Sequence, residues 1–145
     1  MIVREVRAGD APRLSDLFDQ LGHPIAESDI RANIARLDAL QLLPLVADLD
    51  GDVIGLCALA VTQTIHRTYP VGRIATLVVD ERHRGGGVGS RLVAEAERRL
   101  VDRGCLLVEV TSNLARPDAH RFYERLGYEA TSKRFGKRFE RADAR

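Results

Sequence analysis

Residues Ile74 to Leu100 read IATLVVDERHRGGGVGSRLVAEAERRL, and the reading of this stretch decides the fold. It opens on a short β-branched apolar run, Ile74 to Val79, of the length and composition of a buried strand. A polar corner, Asp80-Glu81-Arg82-His83, leads into Arg84-Gly85-Gly86-Gly87-Val88-Gly89. Beyond the glycines, Leu92, Val93, Ala96 and Leu100 recur at helical spacing, with Arg91, Glu95, Arg98 and Arg99 on the other side. The unit is strand, glycine loop, helix. A tight strand-to-helix turn needs one glycine; three in a row plus Gly89 exceed that need. Glycines let a backbone turn sharply and approach a ligand that a Cβ would hold off. Free N–H groups of the loop and first helical turn then converge where the helix dipole also favours negative charge. The stretch therefore predicts a phosphate or pyrophosphate cradle.

Such cradles come in several kinds. A P-loop ends in Gly-Lys-Ser/Thr, and this loop has no lysine. A dinucleotide fingerprint needs G-x-G-x-x-G; counted from Gly85 and Gly87, the third position is Ser90. Glu109 stands at a workable distance for a ribose-binding acid, which keeps that reading open.

Composition sets outer bounds. A chain of 145 residues is one domain by length, spanning 1–145, and long enough to enclose a single core. A net charge of +1 gives no global field toward nucleic acid or a membrane surface. Cys57 and Cys105 lie in apolar runs and read as small buried residues, with no disulfide framework and no metal-ligand spacing. Reduced thiols, the absence of a leader pattern after Met1 and the lack of a long apolar run lead to the expectation of a cytoplasmic protein.

Taken in order, Ile2 to Arg7 reads as a strand. A helix capped by Asp10 follows, with Pro12 in its first turn and Leu14, Leu17, Phe18 and Leu21 as its stripe. Ser28 starts a second helix. Leu42–Ala47 and Val53–Val61 flank Asp50-Gly51 as a hairpin, an antiparallel pairing that a doubly wound dinucleotide domain would not place before its glycine loop. Gly104 closes the long helix, and Cys105–Val110 is the next strand. The residues from Thr111 to Arg116 read as a loop, and Pro117 opens a shorter helix ending at Gly127. Tyr128 to Phe139 predicts a last pair of strands anchored by Phe135 and Phe139, before a charged tail from Glu140 to Arg145. The expected class is α/β with a mixed sheet, ordered β-α-α-β-β-β-α-β-α-β-β, with helices on both faces.

Arg84-x-x-Gly87-x-Gly89, preceded by Leu77-Val78-Val79, resembles the coenzyme A loop of the GNAT family of N-acetyltransferases, whose signature is Arg/Gln-x-x-Gly-x-Gly/Ala. A second stretch, Ala119-His120-Arg121-Phe122-Tyr123-Glu124-Arg125-Leu126-Gly127-Tyr128, looks like that family's A-x-x-F-Y-x-x-x-G-F/Y segment. The element order is similar as well, so the resemblance covers nearly the whole chain. It implies acetyl-CoA as cosubstrate, held by Leu77, Val78 and Val79 and by Arg84, Gly85, Gly86, Gly87, Val88, Gly89 and Ser90. It implies a pantetheine arm bonding the Ile74–Val79 strand where that strand splays from Cys105–Val110, and Tyr123 as general acid for the departing thiolate.

The sequence departs from the family pattern at Thr76, where many members carry a glutamate base. Glu109 is the substitute the sequence offers, although a carboxylate buried on a strand could equally be structural. The expected reaction is acetyl transfer to a primary amine of a small molecule. A protein N-terminus or lysine as acceptor, and an acyl-CoA sensor without turnover, are the alternatives. His66, Arg67, Tyr69 and Arg73 before the central strand read more readily as surface than as ligands. The segment Arg116 to Tyr123 with Lys133-Arg134-Phe135 resembles that of aminoalkylphosphonate N-acetyltransferases, which suggests a small and anionic amine. No nucleic-acid or membrane partner is expected; family habit would add a homodimer.

Overall fold

Why the central strand can lie between two helical layers is visible at Gly72, where a Cβ would come 2.9 Å from Leu100 Cδ1 of the long helix. The computed structural model describes residues 1–111 and 117–141. It falls into two units, Met1–Val110 and Thr111–Arg145, taken here in turn.

In the first unit β1 (Ile2–Glu5) leads through a 3-10 turn to α1 (Ala11–Leu21) and α2 (Glu27–Ala39). The strands β2 (Leu45–Leu49), β3 (Asp52–Thr62) and β4 (Val71–Val79) follow, then α3 (Val88–Asp102) and β5 (Leu107–Val110). The sheet keeps sequence order, β1-β2-β3-β4-β5. The first four strands pair antiparallel, and β5 joins parallel to β4 through the α3 crossover. Asp50 (φ 52°) and Gly51 (φ 90°) make the predicted two-residue hairpin, whose positive φ pair matches the twist of the strands. Asp48 Oδ1 accepts from Gly51 N at 2.7 Å and fixes it.

Helices α1 and α2 cover one face. Ala11, Leu14 and Leu17 of α1 and Ile30 of α2 pack with Val46, Leu56 and Val78 of the sheet. The other face takes α3, whose Leu92, Val93, Ala96 and Leu100 are buried to 1% exposure or less. Helices α1 and α3 show the apolar stripe that their spacing predicts, whereas α2 buries only Ile30 fully. Two details differ at α1. Asp10 precedes it, but its carboxylate does not cap the helix; it accepts from Arg7 N at 2.7 Å and pairs with Arg4. Strand ends also shift: β4 starts at Val71 rather than Ile74, and β5 at Leu107 rather than Cys105.

In the second unit α4 (Pro117–Arg125) is closed by Gly127 at φ 93°, with Tyr128 N donating to Tyr123 O. The expected final strand pair is not formed: residues 128–141 carry no helix or strand. Phe135 and Phe139, expected as anchors, are 91% and 82% exposed. The loop expected at 112–116 and the tail at 142–145 lie outside the described residues. The mixed α/β class holds, with a five-stranded sheet and four helices among the described residues. Among the described residues no helix is long and apolar enough to cross a membrane.

Candidate functional site

Strand β4 outruns its neighbour. Among the described residues it pairs with β5 only from Val71↔Leu107 to Ile74↔Val110, and from Ala75 to Val79 no described strand lies on that side. The divergence begins where the register with β3 skips Ala75, between Ala58↔Thr76 and Leu59↔Ile74. A bulge of this kind bends its strand and raises the local twist. Five residues of β4 thus present a free backbone edge, the donors and acceptors an extended ligand could pair with as an added strand. Leu77, Val78 and Val79 all lie on this edge.

The edge runs into the glycine loop. Asp80 ends β4, a 3-10 turn spans Glu81–His83, and Arg84 is extended. Gly85 and Gly87 sit at φ 81° and 83°, in the left-handed region that disfavours side chains. A Cβ at either would meet no protein atom within 4 Å, so the cradle above them is open. Gly87 is the N-cap of α3, and the N–H groups of Val88, Gly89 and Ser90 find no backbone acceptor among the described residues. Arg84 Nε donates to Val79 O at 3.1 Å and ties the loop to the strand end. Seven predicted cofactor residues, Arg84 to Ser90, therefore follow directly on the open end of β4.

What holds this loop was not expected. Asp80 is fully buried, the one charged side chain in the core among the described residues. Its Oδ1 accepts from Arg82 N at 3.0 Å, its Oδ2 from Arg82 Nη2 at 3.1 Å, and Arg13 of α1 donates to it through Nη2. The Arg82 hydrogen bond, with Arg13 behind it, holds the Asp80 carboxyl far below the usual range against its burial. Arg13 Nε also reaches Asp52 Oδ1 at 3.1 Å, and Gln20 Oε1 accepts from Glu81 N at 2.9 Å. Helix α1 thus braces the loop from across the sheet end. An Asp two residues before Arg82 hints at the local turn; nothing local points to Arg13, 67 positions away.

The remaining site residues are placed as follows. Val78 packs toward α1 and α2, so Thr76, two residues earlier, shares that face. Glu109 lies opposite Arg73 in the parallel register, and it is exposed, not buried. Tyr123 belongs to the second unit, on α4. It is half-buried, its ring edge-on to Phe122 at 5.1 Å and to Tyr128 at 5.8 Å. Cys57, beside Leu77 in the β3–β4 register, is fully buried, and burial pushes its thiol up to about 12. It stays protonated and is no nucleophile.

The chain is similar to known proteins. One curated relative, an aminoalkylphosphonate N-acetyltransferase of Salmonella typhimurium, is 40% identical over 88 residues, 61% of this chain and 57% of the relative. The chain thus spans about half the length of the curated relatives it first matches. Among solved structures, a transcriptional regulator of Bacillus halodurans superposes with a TM-score of 0.85 at 28% identity, covering 95% of this chain and 99% of that one. An acetyltransferase of Trypanosoma brucei superposes with a TM-score of 0.81 at 24% identity, over 95% and 99%, a likeness of fold. The model of the Acetyltransferase (GNAT) family matches residues 12–128, across both units, and the chain belongs to that family.

Proposed function

We propose that this chain is an acetyl-CoA-dependent N-acetyltransferase acting on a primary amine of a small molecule, with residues 1–145 working as one domain. The observation that carries the reading is the unpaired β4 edge, Ala75 to Val79, running straight into the free N–H groups at the start of α3. The two are the complementary parts a long pyrophosphate-bearing thioester requires. In this reading Gly85 to Ser90 hold the pyrophosphate with Arg84 beside them, and Leu77, Val78 and Val79 hold the arm. Acetyl-CoA supplies the activated acetyl group.

The chain's own residues do the rest. A free N–H on the β4 edge polarises the carbonyl that the amine attacks. Tyr123 gives its phenolic proton to the departing thiolate. The amine reacts directly, since the nearby Cys57 thiol stays protonated. Thr76 cannot take the ammonium proton near neutral pH, so that proton leaves to solvent with Glu109 holding the amine. The Salmonella relative, named for a small amine, favours a small acceptor over a protein terminus.

Release of free thiol from acetyl-CoA with a panel of primary amines tests the reading. Tyr123→Phe keeps the ring packing and should lower turnover by about 100-fold with little change in acetyl-CoA affinity. Acetyl-CoA binding without thiol release for any amine would make the chain a sensor instead.

A further inference from the structure

At the other end of β4 lies a cavity of about 180 Å³ lined by Thr62, Thr64, His66, Arg67, Arg73 and Glu109. We infer that this cavity is the acceptor subsite, and that it selects a short amine carrying an anionic head group; the inference rests on the function proposed above.

Three observations carry it. The first is position. Gly72 faces Leu100 of α3, so its neighbour Arg73 and the paired Glu109 point to the opposite face, the one Thr76 shares. Arg73↔Glu109 is next to the last pair before the cleft opens. An arm that starts at the glycine loop and follows β4 back from Val79 to Ala75 covers about 13 Å at the usual strand rise. It would bring its acyl end beside this cavity.

The second observation is unspent polarity. Thr64 Oγ1 is buried and has no hydrogen-bond partner among the described residues. A buried hydroxyl left this way costs free energy until something satisfies it. The half-buried Arg67 guanidinium and the Glu109 carboxylate likewise make no ion pair among the described residues, whereas Arg4, Arg13 and Arg99 of this unit do.

The third is the kind of charge. Arg67 and Arg73 against the single carboxylate of Glu109 leave the lining net positive. A phosphonate, phosphate or carboxylate suits the Arg67 fork and the Thr64 hydroxyl, and an ammonium suits Glu109. An alkylamine without an anionic group would leave the Arg67 fork and the Thr64 hydroxyl unmatched. The volume is below the roughly 300 Å³ at which pockets for drug-sized ligands begin, so the occupant is compact.

Calorimetric titration in the presence of coenzyme A tests the inference with three probes of similar length: 2-aminoethylphosphonate, 3-aminopropanoate and propylamine. Both anionic amines should bind at least about tenfold tighter than propylamine, with their ratio telling phosphonate from carboxylate selection. Arg67→Gln should shrink that advantage to less than about threefold, and Arg67→Lys should keep part of it. Equal binding of propylamine, an advantage that survives Arg67→Gln, or no binding by any probe would each overturn the subsite. Failure of the parent reading looks different: the anionic amines bind, acetyl-CoA binds, and no thiol is released.

Discussion

The two ends of β4 are built on opposite principles. At the Val79 end the groups that brace the loop are partnered: Asp80 between Arg13 and Arg82, Arg84 on the Val79 carbonyl, Glu81 N on Gln20. At the Val71 end the Thr64 hydroxyl, Arg67 and Glu109 make no hydrogen bond or ion pair through their side chains among the described residues. A satisfied network fixes one geometry, which suits a ligand that never varies. An unsatisfied cluster waits for a partner and takes its selectivity from what that partner supplies. One strand thus joins a braced glycine loop to a cavity with unsatisfied polar groups.

The largest effect should come from blocking the cradle. Gly89 has ordinary helical backbone in the first turn of α3, so valine there costs the helix nothing in propensity relative to glycine. Its side chain would stand among the free N–H groups. Gly89→Val should weaken acetyl-CoA binding by at least about 100-fold, the loss of one or two charge-assisted hydrogen bonds. Thermal denaturation without ligand should stay near the parent. A folded variant with unchanged affinity would move the pyrophosphate elsewhere.

Next comes the brace. Asp80→Asn keeps the volume but leaves Arg13 and Arg82 without their carboxylate. Both arginines reach solvent, so the cost should be about 2 kcal/mol rather than that of a fully buried pair, or roughly 5 °C in Tm. The pH dependence has a definite sign. The folded carboxyl lies below its unfolded value of about 3.9, so its stabilisation is complete above that pH and is lost as pH falls beneath it. Urea midpoints of parent and variant should therefore differ by a constant amount from pH 7 to about 5 and converge below about 4. A gap that persists in acid would mean that Asp80 acts through shape and not charge.

This contrast also marks what the sequence could reveal. The glycine loop between β4 and α3 was legible because glycine is the punctuation of backbone geometry, and Gly85 and Gly87 do take the positive φ that it permits. The Asp50-Gly51 hairpin was legible for the same reason. The Arg13–Asp80 pair was not, because a bond between positions 67 apart leaves no local pattern. The splay of β4 was carried by the family resemblance alone; the bulge at Ala75 that begins it has no residue signature. Phe135 and Phe139 alternate as strand residues do, yet a strand is a pairing, and alternation does not supply the partner. The pocket residues His66, Arg67 and Arg73 read as surface because the sequence cannot show that Thr64 beside them is left unsatisfied.

The smallest effect is the sharpest test of the comparison. Thr64→Val replaces the hydroxyl by a methyl of similar size. If Oγ1 has no partner in the free protein, removing it takes away a desolvation cost and no bond. The ligand-free variant should then be as stable as the parent or gain up to about 1 kcal/mol, a change readable as a shift in the urea midpoint. Binding of 2-aminoethylphosphonate should meanwhile fall by about threefold to tenfold, the worth of one ordinary hydrogen bond. Stability rising while acceptor affinity falls is the signature of a group kept for a ligand and not for the fold. The opposite pair, a clear loss of stability with unchanged affinity, would place Thr64 among the bonded residues and erase the difference between the two ends of β4.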